Sequence, residues 1–111
     1  MMQLYFTRTY ERAVRKLLSE ESRKEMEASI VAAPDAAPII RGTGGIRKMR
    51  WSGSGRGKRG GVRTIYFYHA DPGAIYLLTA YAKADREDLS PADTRALSRM
   101  VAAIKSEMRR Q

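Results

Sequence analysis

The 111-residue sequence contains no cysteine and only one histidine, His69. A chain without cysteine forms no disulfide and has no thiolate for catalysis or metal binding. Zinc and similar ions are usually held by several histidine or cysteine ligands, so we expect neither a metal nor a cofactor. The sequence also lacks an apolar run near the roughly 20 residues that span a bilayer, and its first residues do not resemble a signal peptide. We therefore expect a cytoplasmic protein with no membrane partner.

Acidic residues are missing from part of the chain. The segment from Arg41 to His69 carries eight lysines and arginines but no aspartate or glutamate. The other 82 residues contain 13 basic and 12 acidic side chains and are nearly neutral, although the whole chain has a formal net charge of +9. Positive charge concentrated in one segment is typical of a protein that binds a polyanion. Solubility alone does not require such a concentration, so we expect a polyanionic partner.

The hydrophobic pattern predicts one α+β domain, residues 1–111, whose elements follow the order β-α-α-β-β-β-α. Residues 2–7 alternate apolar and polar side chains and predict a short strand with Leu4 and Phe6 directed inward. The apolar residues that follow recur at helical spacing. They predict two helices in series, and Ser19 is the expected N-cap of the second.

Three further segments are rich in β-branched, aromatic and aliphatic residues and predict strands: 46–51, 62–70 and 74–82. A tight turn at 71–73 is expected to join the last two strands into a hairpin. Segment 74–82 is apolar on both faces, which indicates a central position in the sheet. We therefore expect a mainly antiparallel sheet packed against helices.

A strong helix-start signal precedes the C-terminal segment. Ser90, Pro91 and Asp93 supply an N-cap, a proline at the first helical position and an acid at the third. The apolar residues beyond them recur at helical spacing and predict the buried face of the helix: Leu97, Met100, Val101, Ile104 and Met108.

A glycine-rich stretch lies between the predicted strands 46–51 and 62–70. It does not fit a nucleotide site. Its GxGxxG spacing is followed by a strand, whereas a dinucleotide-binding loop must open a helix. A P-loop would need a glycine in place of Ser52 and a serine or threonine in place of Arg59. What remains is a basic loop whose glycines allow close approach to a phosphate chain. Three of its side chains are candidate RNA ligands, unless the loop is merely solvated: Arg56, Lys58 and Arg59.

Basic residues also lie on the predicted strands themselves. Alternation places Lys48 and Arg50 on one face of the strand 46–51 and Arg47 on the other. Arg63 begins the next strand, and Lys83 follows the end of the central one. Because neighbouring strands lie about 4.8 Å apart, such side chains can converge on one phosphate.

Two tyrosines of the central strand have more than one interpretation. Tyr76 and Tyr81 could offer stacking planes or hydroxyls to a nucleic acid. An aromatic residue in such a sheet more often belongs to the core, so we expect a core position for each.

Three runs of sequence resemble the RelE/HigB-type toxins of bacterial toxin–antitoxin modules, in the HigB-like branch of the RelE/ParE superfamily: PIIRGTGGIRKMRW, GRGKRGGVRTIYFYH and IYLLTAYAKADREDLSP. The resemblance is close over residues 30–95 and looser in the flanking helices. It implies a RelE-like fold and an endoribonuclease that cuts mRNA, mainly on the ribosome. It also implies a helix-turn-helix antitoxin as the natural inhibitor, with no metal required.

The resemblance also implies roles for individual residues. Arg63 corresponds to the strand arginine that contacts the scissile phosphate, and Lys83 to a strand-end lysine. Lys48 or Lys83 is the expected proton acceptor. The basic groove of the family corresponds here to Arg47, Arg50, Arg56, Lys58 and Arg59. The family's arginine after the strand-end lysine is replaced by Ala84, and Arg86 is a candidate substitute for it. The tyrosine expected near residue 90 has no counterpart.

Two other functions remain open at this stage. A ParE-like toxin that inhibits DNA gyrase shares the scaffold but has no nuclease activity, and fold alone does not separate the two. A plain RNA-binding module would hold the backbone without cutting it. The cations around Arg63 favour the nuclease.

We also expect the edge of the basic strand 46–51 to be open to a strand or helix of the antitoxin.

We predict that replacing Arg56, Lys58 and Arg59 together by glutamine weakens binding to RNA or ribosomes. The slope of log affinity against log salt should fall by up to about three phosphate contacts, while thermal stability should barely change. Affinity measured across a salt series tests this. An unchanged slope would mean that the loop makes no phosphate contacts.

Overall fold

The computed structural model describes residues 2–52, 61–86 and 88–110. Its elements confirm the predicted α+β order and are β1 (Gln3–Phe6), α1 (Arg8–Leu17), α2 (Glu20–Ala32), β2 (Ile46–Trp51), β3 (Val62–His69), β4 (Ala74–Ala82) and α3 (Pro91–Arg109). Over these described ranges, the three helices are too short or too polar to cross a membrane.

The four strands form one sheet in the order β1-β4-β3-β2. Strand β1 runs parallel to β4, whereas β2–β3 and β3–β4 are antiparallel. The sheet is therefore mixed but mainly antiparallel, as predicted. The hairpin β3–β4 and the inner position of β4 are also confirmed.

The two faces of the sheet are covered by different helices. Helices α1 and α2 pack on one face through residues such as Tyr10, Met26 and Ile30. Helix α3 covers the other face, where Leu97 and Val101 join a second core cluster. Each face thus has its own apolar core, and the sheet between them has few polar side chains to bury.

A bulge changes the alternation of β4. The pairing with β3 shifts between Ile65 and Tyr66, because Ile65 lies opposite Thr79 and Tyr66 opposite Leu77. The extra residue, Leu78, sends the second half of β4 out of phase with the first half. Strand positions that simple alternation would place on opposite faces consequently share one face.

The helix starts are fixed by the side chains that the sequence indicates. The hydroxyl of Ser19 accepts the Ser22 backbone N–H at 3.1 Å and caps α2. Ser90 and Asp93 form a complete capping box at the start of α3, with Pro91 as the first helical residue. Both predicted caps are confirmed.

Two predicted core positions are wrong. Phe6 is 41% exposed because β1 is an edge strand, and its ring stacks on Tyr10 beneath the guanidinium of Arg23. Met100 is 39% exposed because α3 leaves part of its face of the sheet uncovered. Met100 instead lines a groove between α3 and β1, together with Tyr5 and other residues.

The outer edge of β2 was predicted to be open, but part of it is covered. The backbone N–H of Ile40 donates to the Ile46 carbonyl at 2.7 Å, and that of Lys48 donates to the Pro38 carbonyl at 3.1 Å. The loop before β2 therefore covers part of the strand's outer edge, which occupies backbone groups that an added strand would need.

An ion-pair network joins α1 to α2. Arg23 donates to Glu11 at 2.5 Å and to Glu27 at 2.8 Å, and the Tyr10 hydroxyl donates to Glu27 at 2.6 Å. Burial, followed by the hydrogen bond to Glu27, raises the pKa of Tyr10 far above its usual value, so its hydroxyl stays protonated. The side chains of Arg23 and Glu27 are only 14% and 13% exposed, so this network contributes to helix packing.

We predict that Arg23→Ala lowers the free energy of unfolding by about 2–3 kcal/mol, because it leaves partly buried carboxylates without their cation. Arg15→Ala is the matched control, since Arg15 approaches the same Glu11 at 3.8 Å from a position 76% exposed. Its cost should stay below about 0.5 kcal/mol. Urea denaturation measures both, and equal costs would contradict the assignment.

Candidate functional site

Three side chains form a row across the inner strands. Arg50 of β2 lies opposite Arg63 of β3, and Arg63 lies opposite Tyr81 of β4. Opposite residues on antiparallel strands share a face of the sheet and are near neighbours. Lys48 lies on the same face of β2, two residues before Arg50. The predicted convergence of Lys48, Arg50 and Arg63 is thus a feature of the strand register.

The bulge in β4 brings Tyr81 into this row. Tyr76 and Tyr81 are five residues apart, and strict alternation would put them on opposite faces. Both pack with the cluster on the α3 face, because the bulge inverts the alternation between them. Tyr81 is only 8% exposed, so the prediction of a core position holds for its ring. Its hydroxyl nevertheless reaches the polar site.

Arg63 differs from its neighbours in burial. It is 6% exposed, whereas Arg50 is exposed and the Lys48 side chain is 31% exposed. A shallow concavity of about 240 Å³ is lined by these three cations, with Ala37, Pro38 and Met49 as its apolar part. The site thus combines one fixed, largely desolvated guanidinium with two cations that reach solvent.

One carboxylate oxygen collects three donors beside the row. Asp88 Oδ1 accepts the Leu89 backbone N–H at 2.9 Å, the Lys48 ammonium at 3.3 Å and the Tyr81 hydroxyl at 3.5 Å. The Leu89 N–H and the Lys48 ammonium hold the pKa of Asp88 below its usual value. Burial and the charge of Asp88 raise the pKa of Tyr81. Tyr81 therefore acts as a hydrogen-bond donor at neutral pH.

Arg86 is held at the rim of the site by the start of α3. Its guanidinium lies over the Tyr81 ring, 5.6 Å from the centroid, and donates to Asp93 Oδ2 at 2.8 Å. Asp93 also accepts the Ser90 backbone N–H within the capping box, at 3.3 Å. The Ser90 N–H and Arg86 both lower the pKa of Asp93. We call Lys48, Arg50, Arg63 and Arg86 the cationic cluster.

Lys83 lies at the end of β4, two residues beyond Tyr81. Its backbone N–H donates to the Gly61 carbonyl at 3.0 Å and continues the β3–β4 pairing by one step. The residue is partly exposed. The predicted RNA ligands Arg56, Lys58 and Arg59 fall within residues 53–60 and lie outside the described residues.

Arg47 is not brought into the cationic cluster. Its Nη1 donates to the backbone carbonyls of Ala37 at 2.7 Å and Asp35 at 3.0 Å. This guanidinium ties the loop before β2 to the sheet, on the face opposite Lys48 and Arg50. Its predicted contact with RNA therefore has no support from its position.

His69 lies at the opposite end of β3 from Arg63. Its ring packs edge-on against Phe67, with 6.0 Å between centroids, and its Nδ1 is buried. The residues predicted from sequence did not include Asp88, and Tyr81 was expected in the core in preference to a contact with nucleic acid. No motif in the sequence marks either of them, because their roles come from strand register and from the conformation of the loop before α3.

We predict that Tyr81 titrates above the usual tyrosine value of about 10 and that Asp88→Asn shifts its midpoint downward. The proton is bound more tightly in the folded protein, so this contribution to stability is present below the unfolded pKa and is lost as pH rises through the folded one. Tyrosine ring NMR, assigned with Tyr81→Phe, measures the midpoint. No response to Asp88→Asn would rule out the contact.

Comparison with known proteins identifies the family and the fold of this chain. A family profile described as the RelE toxin of the RelE/RelB toxin–antitoxin system matches residues 2–111. The chain is also similar to RelE in the intact E. coli RelBE toxin–antitoxin complex, with a TM-score of 0.56 and 20% identity over 74% of this chain and 96% of that one.

Two further structures have the same fold. A double arginine-to-alanine variant of free E. coli RelE gives a TM-score of 0.52 and 17% identity, over 78% of this chain and 87% of that one. Isolated E. coli RelE gives 0.50 and 18%, over 90% and 99%. At these identities the structures establish the fold alone, and the HigB-like branch stays a prediction. The family profile spans nearly the whole chain, and the protein therefore belongs to the RelE family of toxins from toxin–antitoxin systems.

Proposed function

We propose that this toxin is a metal-independent endoribonuclease that cuts mRNA on the ribosome, in the cytoplasm. The observation that carries the proposal is the position of Arg63, a buried guanidinium at the centre of the row Arg50–Arg63–Tyr81 and beside an open concavity. Such an arrangement suits an anion whose charge increases during a reaction.

In the proposed reaction the attacking oxygen and the leaving oxygen both belong to the RNA. The 2′-hydroxyl of one nucleotide attacks its adjacent phosphate and forms a new P–O bond, while the bond to the 5′-oxygen of the next nucleotide breaks. A base takes the proton of the 2′-hydroxyl, and an acid supplies a proton to the leaving oxygen. The products are a 2′,3′-cyclic phosphate and a free 5′-hydroxyl.

Arg63 is the proposed stabiliser of the phosphorane. A guanidinium presents a planar set of donors that matches two phosphate oxygens. Because Arg63 is only 6% exposed, its charge is little screened by water and needs little reorganisation when the phosphorane forms. Its neighbours Arg50 and Arg86 would hold the flanking backbone, together with Arg56, Lys58 and Arg59 of the loop.

The proposed proton acceptor is Lys48 or Lys83. Lys48 lies on the same face as Arg63 and lines the same concavity. Lys83 follows the strand that carries Tyr81. Tyr81 is a donor to the phosphate in this scheme, because its raised pKa keeps the hydroxyl protonated.

An antitoxin is the proposed protein partner. E. coli RelE, which has the same fold, has been solved in an intact complex with its antitoxin RelB. Exposed cations such as Arg50 would attract cellular RNA of any sequence. We therefore propose a helix-turn-helix antitoxin that either covers the cationic cluster or blocks entry to the ribosome.

We predict that Arg63→Gln abolishes growth arrest when the toxin is expressed alone, and lowers mRNA cleavage on purified ribosomes by at least about 100-fold. Arg63→Lys keeps the charge but loses the planar set of donors and should fall between the two. The matched control is Arg12→Gln, an equal charge change at an exposed position of α1, which should leave cleavage unchanged.

Circular dichroism separates loss of fold from loss of chemistry, since Arg63 is buried. Co-expression of the antitoxin should restore growth to cells carrying the wild-type toxin. Full toxicity in a folded Arg63→Gln variant would refute the proposed role of this residue.

A further inference from the structure

The carboxylate of Asp88 lies beside the cationic cluster, at a point where three hydrogen-bond donors converge. It accepts from Lys48, from Tyr81 and from the backbone N–H of Leu89, all through the single oxygen Oδ1. Lys48 and Tyr81 come from two different strands, and they lie 40 and 7 residues before Asp88 in sequence. The acceptor position is therefore set by the sheet as well as by the loop that carries Asp88.

This donor set is the kind that binds a phosphate oxygen. An ammonium, a hydroxyl and a backbone N–H are common ligands of RNA and DNA phosphates, and carboxylates accept from the same groups. The position also adjoins Arg63, whose charge is felt by Tyr81. An anionic oxygen bound here would lie beside the row of residues proposed to act on RNA.

We propose that Lys48, Tyr81 and the Leu89 backbone N–H form a phosphate subsite for RNA, which the Asp88 carboxylate occupies in the free toxin as an internal competitor. The inference rests on the proposed function, because it assigns a second phosphate position next to Arg63. It also leaves Lys83 as the proton acceptor, since Lys48 binds phosphate as an ammonium and has no lone pair for a proton. RNA binding then exchanges one anionic oxygen for another and leaves the three donors in place.

The exchange is cheap in energy. The Asp88 side chain is 64% exposed and that of Lys48 is 31% exposed, and ion pairs at such positions contribute little to stability. Asp88 precedes α3 and is not held in a helix or strand, so rotation of its side chain is enough to vacate the subsite. An RNA that also contacts Arg63 and Arg50 easily overcomes this competition.

The competition has a signature in the salt dependence of binding. RNA gains affinity when its phosphates release counterions on meeting protein cations. In the free toxin Lys48 is already partly neutralised by Asp88, so this phosphate contact contributes less than a full counterion. Removing the charge of Asp88 should both tighten binding and steepen the salt slope.

The test measures binding of a short RNA whose 2′-hydroxyls are methylated to prevent cleavage, by fluorescence anisotropy at several salt concentrations. Asp88→Asn should tighten binding by about threefold to fivefold and steepen the salt slope by up to about 0.7. Asp85→Asn is the matched control. It removes the same charge from the same loop, and within the described part of the chain Asp85 makes no ion pair. It should tighten binding by less than twofold.

A double-mutant cycle separates direct competition from general charge. In a Lys48→Gln, Tyr81→Phe background, Asp88→Asn should gain no more affinity than Asp85→Asn does. Equal gains for the two aspartate variants in the wild-type background, or a gain for Asp88→Asn that persists in the double variant, would overturn the proposal.

A second readout uses the unmodified protein. Titration with inorganic phosphate should shift the Leu89 amide resonance in ¹⁵N NMR spectra with saturation, and Asp88→Asn should lower the midpoint. A Leu89 resonance that does not move while the residues of the cationic cluster respond would also overturn the proposal. Failure of the wild-type toxin to cut RNA, with RNA binding and the phosphate titration intact, would count against the proposed function and not against the subsite.

Discussion

The site depends on a guanidinium that is held inside a sheet. Arg63 is almost fully buried although a charge is costly to remove from water. Its position is imposed by pairing on both sides, with Arg50 on β2 and Tyr81 on β4. The apolar clusters on the two faces fix those three strands, so the packing of the whole domain holds the cation in place. Arg50 and Lys48, at the edge of this arrangement, stay accessible to solvent.

The start of α3 links the same site to the C-terminal helix. Asp93 accepts both the Ser90 backbone N–H of the capping box and the guanidinium of Arg86, which lies over the Tyr81 ring. Asp93 of the capping box thus both helps to start α3 and positions Arg86 at the rim of the site. Asp88, directly before that signal, holds Lys48. The loop between β4 and α3 therefore joins helix capping to the electrostatics of the sheet surface.

Much of the fold could be predicted from sequence because its signals are local. The caps at Ser19 and Ser90 and the apolar pattern of β4 depend on neighbouring residues only. Phe6 and Met100 were predicted wrongly because their exposure depends on which strand lies at the edge and how far α3 extends over the sheet. The grouping of Lys48, Arg50 and Arg63 was predicted from alternation. The contact between Tyr81 and Asp88 could not be predicted, because it depends on the strand register and on the conformation of the loop before α3. No local sequence pattern encodes either of these.

The bulge at Leu78 has a consequence for how the strand divides its tasks. Before it, β4 alternates in one phase, and Leu77 faces the core under α1 and α2. After it, the alternation is inverted, so that Ala80 packs in that core and Tyr81 lies on the α3 face beside Arg63. If β4 alternated regularly through Leu78, with no bulge, Ala80 would face Arg63 and the ring of Tyr81 would enter the core beneath the helices. The bulge thus reverses the faces that regular alternation would give to Ala80 and Tyr81. Strand β4 can therefore supply a small side chain to the core beneath α1 and α2 and an aromatic hydroxyl to the polar site on the opposite face.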